Sequence, residues 1–126
     1  MKALALTVGV LSDALPGVPV RAGAARQEDA LPFVVVSQSD ADRRQLGDLV
    51  GATVTILCVA LTLTAAAEVF EQVRQSFDRL QNVDVGGVRL RGAFLQGESS
   101  QYFPPEEGEN VGWHAINSTF KVWFRE

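Results

Sequence analysis

The stretch that most constrains the fold runs from residue 49 to residue 80, where an apolar strand pattern leads directly into an amphipathic helix pattern. Residues 49–67 carry no formal charge, and their first half is rich in β-branched residues. This length approaches the roughly 20 apolar residues that a membrane span needs, but four threonines interrupt it. We therefore interpret it as a buried strand over about 52–61 that runs into a helix, and we predict no membrane span.

The two halves of this stretch have different periods. In the strand, apolar residues occupy the even positions from 54 to 60, and threonines begin the other face. Thr64 is the predicted N-cap of the helix, with Glu68 in its first turn. The helix carries one apolar stripe, which predicts a face turned to the core: Ala66, Val69, Phe70, Val73, Phe77 and Leu80.

The N-terminal residues predict a second, shorter helix. Leucine and valine recur at helical spacing over residues 2–14, and Pro16-Gly17 ends the pattern. Lys2 and the apolar run after it also resemble the start of a signal peptide, with a cleavage-like motif at residues 22–24. Polar residues such as Asp13 interrupt the approach to that motif, so we favour the helix.

The remaining patterns predict strands and loops. In the strand after Gly86-Gly87, Val88, Leu90 and Phe94 are expected on one face, opposite Arg89 and Arg91. The predicted segments are a short strand at 18–22, a polar connection at 24–30, a strand at 33–37, a hairpin loop or mobile excursion at 39–48, a strand at 88–96, a rigid acidic loop at 102–110 and a strand at 112–125.

This order of elements predicts an α+β fold. We expect a single domain over residues 1–126, with a mostly antiparallel sheet of about four to five strands. The long amphipathic helix and the short N-terminal helix are expected to pack against that sheet. A chain of this length can bury one core without metals or disulfides.

The residues offer little catalytic chemistry. His114 is the only histidine and Cys58 the only cysteine, and Cys58 lies inside an apolar strand, where a thiol is usually inert. Glu106, Glu107 and Glu109 match no metal-binding loop, so we interpret them as a solvated acidic loop. We predict no enzyme activity, no cofactor and no metal site.

The charged and aromatic residues suggest a contact surface instead. The net charge of −4 argues against electrostatic capture of nucleic acid. Trp113 and Trp123 fall on the polar face of the last strand, where they either contact another chain or lie under a helix. The arginines form either a solvated face or a partner-binding patch. The candidate interface residues are Arg43, Arg44, Arg89, Arg91, Tyr102, Phe103, Glu106, Glu107, Trp113 and Trp123.

The order of motifs resembles that of the tail-completion or tail-terminator proteins of long-tailed bacteriophages and related phage-like particles. The motifs that carry the resemblance are a proline-led apolar strand at 31–36, a strand that leads straight into an amphipathic helix, and a last strand that begins with Trp113-His114 and ends with residues 120–124 (Phe-Lys-Val-Trp-Phe). The resemblance covers nearly the whole chain. Its motifs are patterns of hydrophobic order, and the strand departs from the family at residues 56–58, where a polar or aromatic residue is expected.

The resemblance implies a structural virion protein of the tail or neck, assembled in the host cytoplasm. Such a protein forms a homo-oligomeric ring, commonly of six copies, that caps the tail tube protein and offers a surface to the head-side connector or stopper protein. DNA would pass through its lumen without specific binding. The alternative is a small cytoplasmic ligand-binding or regulatory α+β domain, which needs a concave apolar cavity with a few polar groups.

Overall fold

The computed structural model describes residues 2–26, 29–108 and 111–125, which form two helices and a seven-stranded sheet. The predicted N-terminal helix is confirmed. The helices are α1 (Lys2–Ala14) and α2 (Leu63–Arg79); the strands are β1 (Val20–Ala22), β2 (Phe33–Gln38), β3 (Arg43–Leu46), β4 (Leu49–Ala60), β5 (Val83–Val85), β6 (Val88–Phe103) and β7 (Trp113–Arg125).

The sheet is mixed but mostly antiparallel, in the order β1-β2-β4-β7-β6-β5, with β3 paired to the start of β4. β1 and β2 are the parallel pair. The predicted α+β class is confirmed, but the expected strand count was too low. β3 and β5 were missed because they have only four and three residues, too few to show a repeated apolar pattern.

Both helices pack on the same side of the sheet, which we call the helix face; the other side is the open face. The main core lies between the helices and the even-numbered side chains of β2, β4 and β7. Phe120 is one of its largest members, and its ring meets that of Phe77 on α2 edge to face at 4.9 Å between centroids. The predicted stripe on α2 therefore faces the core, with its five buried members running from Ala66 to Phe77.

The start of α2 lies two residues earlier than predicted. Thr62, not Thr64, is the N-cap: its backbone is extended, and its Oγ1 accepts a hydrogen bond from the Ala65 N–H at 3.1 Å. The first turn consequently contains no acidic residue. β4 begins at Leu49, earlier than expected, and has the predicted alternation. In the described part of the chain, no helix is both long and apolar enough to span a bilayer.

The polar segment at 39–48, predicted as a hairpin loop or a mobile excursion, is part of a hairpin in which β3 pairs with the start of β4. It contains β3, and the residues just before β3 cap the start of α1. The Asp42 carboxylate accepts a hydrogen bond from the Lys2 N–H at 2.7 Å, and the Gln38 Oε1 accepts one from the Leu4 N–H at 3.0 Å. These acceptors satisfy amide groups that a helix N-terminus leaves without partners in the helix.

β6 is longer and less regular than the sequence predicts. It follows a tight turn in which Gly86 and Gly87 have φ of 55° and 80°, the left-handed geometry typical of a two-residue hairpin. It then runs to Phe103, with irregularities between Leu90 and Gly92 and between Leu95 and Gly97. The first of these reverses the alternation, so that Phe94 lies across from Lys121 on the open face and not beside buried Leu90.

Candidate assembly surface

The open face changes character from one end to the other. At the end where β2 begins, Phe33, Val59 and Ala115 form a small second cluster of buried apolar residues. The middle of the face is polar, with Ser37, Thr55 and Asn117 on neighbouring strands. No described helix covers this face, because α1 and α2 both pack on the other one.

An apolar groove of about 360 Å³ lies over the apolar end of the open face. Its walls are the segment after β1 and the connection between β6 and β7. Trp113 lines it, 40% exposed, with its ring edge to face with Phe33 at 6.1 Å between centroids. Glu106 is the charged residue on the lining. Of the two alternatives for Trp113, cover by a helix is excluded for the described helices, which pack on the other face, and the indole lines an open groove.

Trp123 lies on the same face but at the opposite end of β7, and it has a structural role. Its ring lies over Gly51 of β4, where an added Cβ would stand 2.7 Å from a ring carbon. The Lys121 ammonium lies 5.2 Å from the ring centroid, within cation–π distance. Trp123 is therefore already covered by its own chain, unlike Trp113.

Within the described residues, the outer edge of β6 has no partner strand beyond the short pairing with β5, which reaches Leu90. Every residue from Phe94 to Phe103 is exposed. The large apolar side chains that the described residues expose lie on β6 or at the end of the sheet where β6 terminates: Leu61, Leu63, Phe94, Leu95, Tyr102, Phe103, Val111 and Trp113. An unpaired strand edge beside exposed apolar side chains is typical of a protein–protein contact.

The predicted interface residues divide into two groups at opposite ends of the sheet. Arg43 and Arg44 lie on β3, at the same end as Arg89 and Arg91 at the start of β6. Arg89 makes an exposed ion pair with Asp84 at 3.3 Å. Trp123 lies at this end too. In the other group, Phe103, Glu106 and Trp113 line the apolar groove. Tyr102 and Glu107 are exposed neighbours of these residues in the sequence. Residues 109 and 110 of the predicted acidic loop lie outside the described residues.

Asp40 is a residue that the sequence interpretation passed over. Its carboxylate accepts hydrogen bonds from the Thr53 N–H at 2.6 Å and the Thr53 hydroxyl at 3.2 Å. The backbone hydrogen bond from Thr53 is the largest cause that holds the pKa of Asp40 below its ordinary value, and the nearby charges of Lys121 and Arg43 act in the same direction. Asp40 thus fixes the turn after β2 to the polar middle of the open face.

Cys58 and His114 do not form a reactive pair. The Cys58 side chain lies in the main core, where burial raises its pKa to about 12, so the thiol stays protonated at neutral pH. Its partner on β7 is Ile116. His114 instead stacks obliquely against Tyr102, with 4.8 Å between ring centroids. Within the described residues, no group of acidic, histidine or cysteine side chains could hold a metal ion.

Comparison with known proteins gives a likeness of fold. No protein-family model and no curated protein matches this sequence. Among solved structures, the chain is similar to one from the virion of a native gene transfer agent particle, with a TM-score of 0.65 and 15% identity over 100% of both chains. A second solved chain has 15% identity over 99% of this chain and 92% of its own length, with a TM-score of 0.49. The first likeness shows that the two folds agree along their full lengths.

Proposed function

We propose that this chain is a structural component of a phage-like virion, and that within it the chain acts as a tail terminator. The observation that carries the proposal is the full-length likeness of fold to a chain solved within a gene transfer agent virion. In this role, copies form a ring, commonly of six, that caps the tail tube and joins it to the head-side connector. The proposed role is structural and includes no catalytic step.

The exposed surfaces support an assembly role. A free edge on β6 and an apolar groove beside it both gain stability when another chain covers them. Two different patches on one chain can join head to tail, and such contacts close into a ring when the rotation between copies closes. The arginines and the apolar groove lie at opposite ends of the sheet. The two ends therefore differ in chemistry, as is suited to contact with two different proteins, the tail tube and the head-side connector.

Passage of DNA through the lumen is part of the same proposal. A chain with a net charge of −4 does not capture DNA through its overall charge. We expect the exposed arginines to contact protein neighbours and not the DNA. A solved assembly in which Arg89 and Arg91 line the lumen would contradict this part of the proposal.

The test is the native mass of the purified chain over a concentration series, followed by imaging of any large species. We expect a closed ring, either free or formed when tail tubes are added. The terminator role would be refuted by a monomer or dimer whose mass is independent of concentration and which does not bind tail tubes.

The groove favours a second candidate, a small ligand-binding domain. Its volume of about 360 Å³ and its apolar lining are within the range of pockets that hold small molecules. Under this candidate, a small apolar probe quenches or shifts the fluorescence of the native protein, and Trp113→Phe removes much of that response. If the native protein saturates with such a probe at micromolar concentration and forms no ring, the ligand-binding function is favoured.

A further inference from the structure

We propose that the free edge of β6 in one copy pairs with β1 in the next copy, so that the sheets of neighbouring copies join into one continuous sheet. This inference rests on the self-assembly proposed above and names the two surfaces that would meet. It concerns the edge strands of the sheet, whereas the apolar groove lies on its open face.

Between the irregularity at Leu95–Gly97 and Pro104, the edge of β6 lacks the features that usually protect an edge strand from pairing. From Glu98 to Phe103 the strand pairs with β7 without irregularity, and no described strand pairs with its other side. Residues 97–103 contain one charged residue and no proline or lysine. Natural edge strands are commonly kept from pairing by charges, proline, bulges or short length. A regular, weakly charged edge of this length is suited to receive another strand.

β1, at the opposite edge of the sheet, occupies the same position along the strand direction as the free segment of β6. The pairing register joins Val20 to Val34, Val34 to Cys58, Cys58 to Ile116, and Ile116 to Ser100. β1 therefore lies level with residues 98–100 of β6. Copies arranged around an axis parallel to the strands would bring these two segments together without a shift in height.

The strand directions are also compatible with pairing. β1 is parallel to β2, and β2, β4, β7 and β6 are antiparallel in succession. β1 therefore runs opposite to β6, and the contact between copies would be an ordinary antiparallel pair with Ala22 across from Glu98. Both side chains lie on the helix face, because their partners Val36 and Ser118 are buried there.

The charges at the two edges favour this head-to-tail contact over a contact between two β6 strands. The segment 93–108 carries three acidic residues and no basic one. On the other edge, Arg26 and Arg43 are exposed, whereas Asp29 and Asp42 are held inward by Arg21 and by the N-terminus of α1. Pairing β6 with β6 near its centre would instead bring the two Glu98 carboxylates together, which is unfavourable.

The side chains along the β6 edge add apolar area. Phe94 is 51% exposed, Tyr102 55% and Phe103 42%. Together these three side chains expose an aromatic surface on the order of 300 Å². A standard interface buries roughly 800 Å² on each partner. The side chains would supply over a third of that area if the neighbouring copy covered all three, with β1 itself contributing a pairing of three residues.

The test is disulfide cross-linking of assembled protein that carries Ala22→Cys and Glu98→Cys together. Opposed residues of an antiparallel pair stand close enough for a disulfide. Under mild oxidation we expect a ladder of covalent dimers, trimers and larger species up to the size of the ring. Matched controls are the two single variants, which should stay monomeric on a denaturing gel. Cys58 is buried and provides no competing thiol. Ala22→Cys with Ser100→Cys tests a register shifted by two residues.

The outcomes separate this inference from the proposed function. A ladder from either double variant, with monomers from both single variants, supports β1–β6 pairing. Covalent dimers from Glu98→Cys alone would overturn it in favour of β6–β6 pairing. Rings that form by native mass but show no ladder would overturn the pairing and leave the terminator role intact. If no variant and no native protein forms a ring, the terminator role itself fails.

Discussion

The two faces of the sheet share the same strands but differ in what covers them. On β7, the even-numbered side chains from Ile116 to Phe124 are buried, and both helices pack on that side. The odd-numbered side chains are mostly half-buried, with no described helix above them. The helix face is covered by the two helices, whereas no described helix covers the open face and the β6 edge is exposed from Phe94 to Phe103.

We infer from this difference that stability and the proposed assembly role depend on different surfaces of the molecule. The open face even contains a buried polar atom without a hydrogen-bond partner in the described residues, Asn117 Oδ1. A core optimised for stability rarely leaves such an atom, because its desolvation costs roughly 1–3 kcal/mol. We infer that substitutions on the helix face act on folding, and that substitutions on the open face and edge act on assembly.

The largest effect is expected from Phe120→Ala on the helix face. Phe120 is 1% exposed and packs against Phe77. Truncation of such a side chain leaves a cavity and costs about 3–5 kcal/mol of unfolding free energy. Urea unfolding of this variant and of Thr119→Ala, its neighbour on the open face, measures the contrast. A Thr119→Ala variant that loses as much stability as Phe120→Ala would break the comparison.

Gly51→Ala tests a place where the open face is packed tightly. An added Cβ would stand 2.7 Å from the ring of Trp123, so the indole must shift. We expect a loss of about 1–3 kcal/mol and a red-shifted tryptophan emission. Gly97→Ala is the control, since a Cβ there meets nothing within 4 Å. Unchanged stability and emission in Gly51→Ala would show that Trp123 is mobile.

Asp42→Ala tests the link between the segment before β3 and the start of α1. The variant removes the acceptor for the Lys2 N–H, and loss of such a cap costs about 1 kcal/mol. Urea midpoints and helical circular dichroism measure the effect. Asp48→Ala is the matched control, because it removes a carboxylate that makes an exposed ion pair with Arg125, for which we expect less than about 0.5 kcal/mol. Equal losses in both variants would contradict the capping role.

Asn117→Val is expected to stabilise the chain while it changes the open face. Removal of the unpartnered Oδ1 eliminates its desolvation cost, and valine suits a strand. We expect a gain of about 1 kcal/mol in unfolding free energy. The native mass of the same variant shows whether ring formation requires the Asn117 side-chain amide. A loss of stability would show that Asn117 has a partner in solution, such as an ordered water.

Asp40 gives the open face a dependence on pH. Because the folded pKa lies below the ordinary value of 3.8, the carboxylate contributes its stability above that value. The contribution is lost as pH falls through the lowered folded pKa. We expect the urea midpoint of the native protein to decrease more steeply below about pH 4 than that of Asp40→Asn. Parallel curves for the two proteins would show that Asp40 is not held by Thr53.

Sequence patterns predicted the elements whose periodicity is strong. The N-terminal helix, the stripe of α2, the alternation of β4 and the last strand all have the predicted character, since each has a repeated apolar pattern. The ten candidate interface residues are exposed or half-buried in the structure, and their role in an interface stays a prediction. Their division to opposite ends of the sheet could not be predicted, because it depends on the order of the strands.

The sequence by itself determined the spacing of apolar residues in each segment, and therefore which side chains are expected to be buried. What the tertiary structure decided is how these segments meet. The cap of α1 joins residues 40 positions apart, the irregularity in β6 moves Phe94 to the open face, and β3 and β5 form only against their hairpin partners. These features depend on contacts between distant segments, which the pattern within any one segment does not encode.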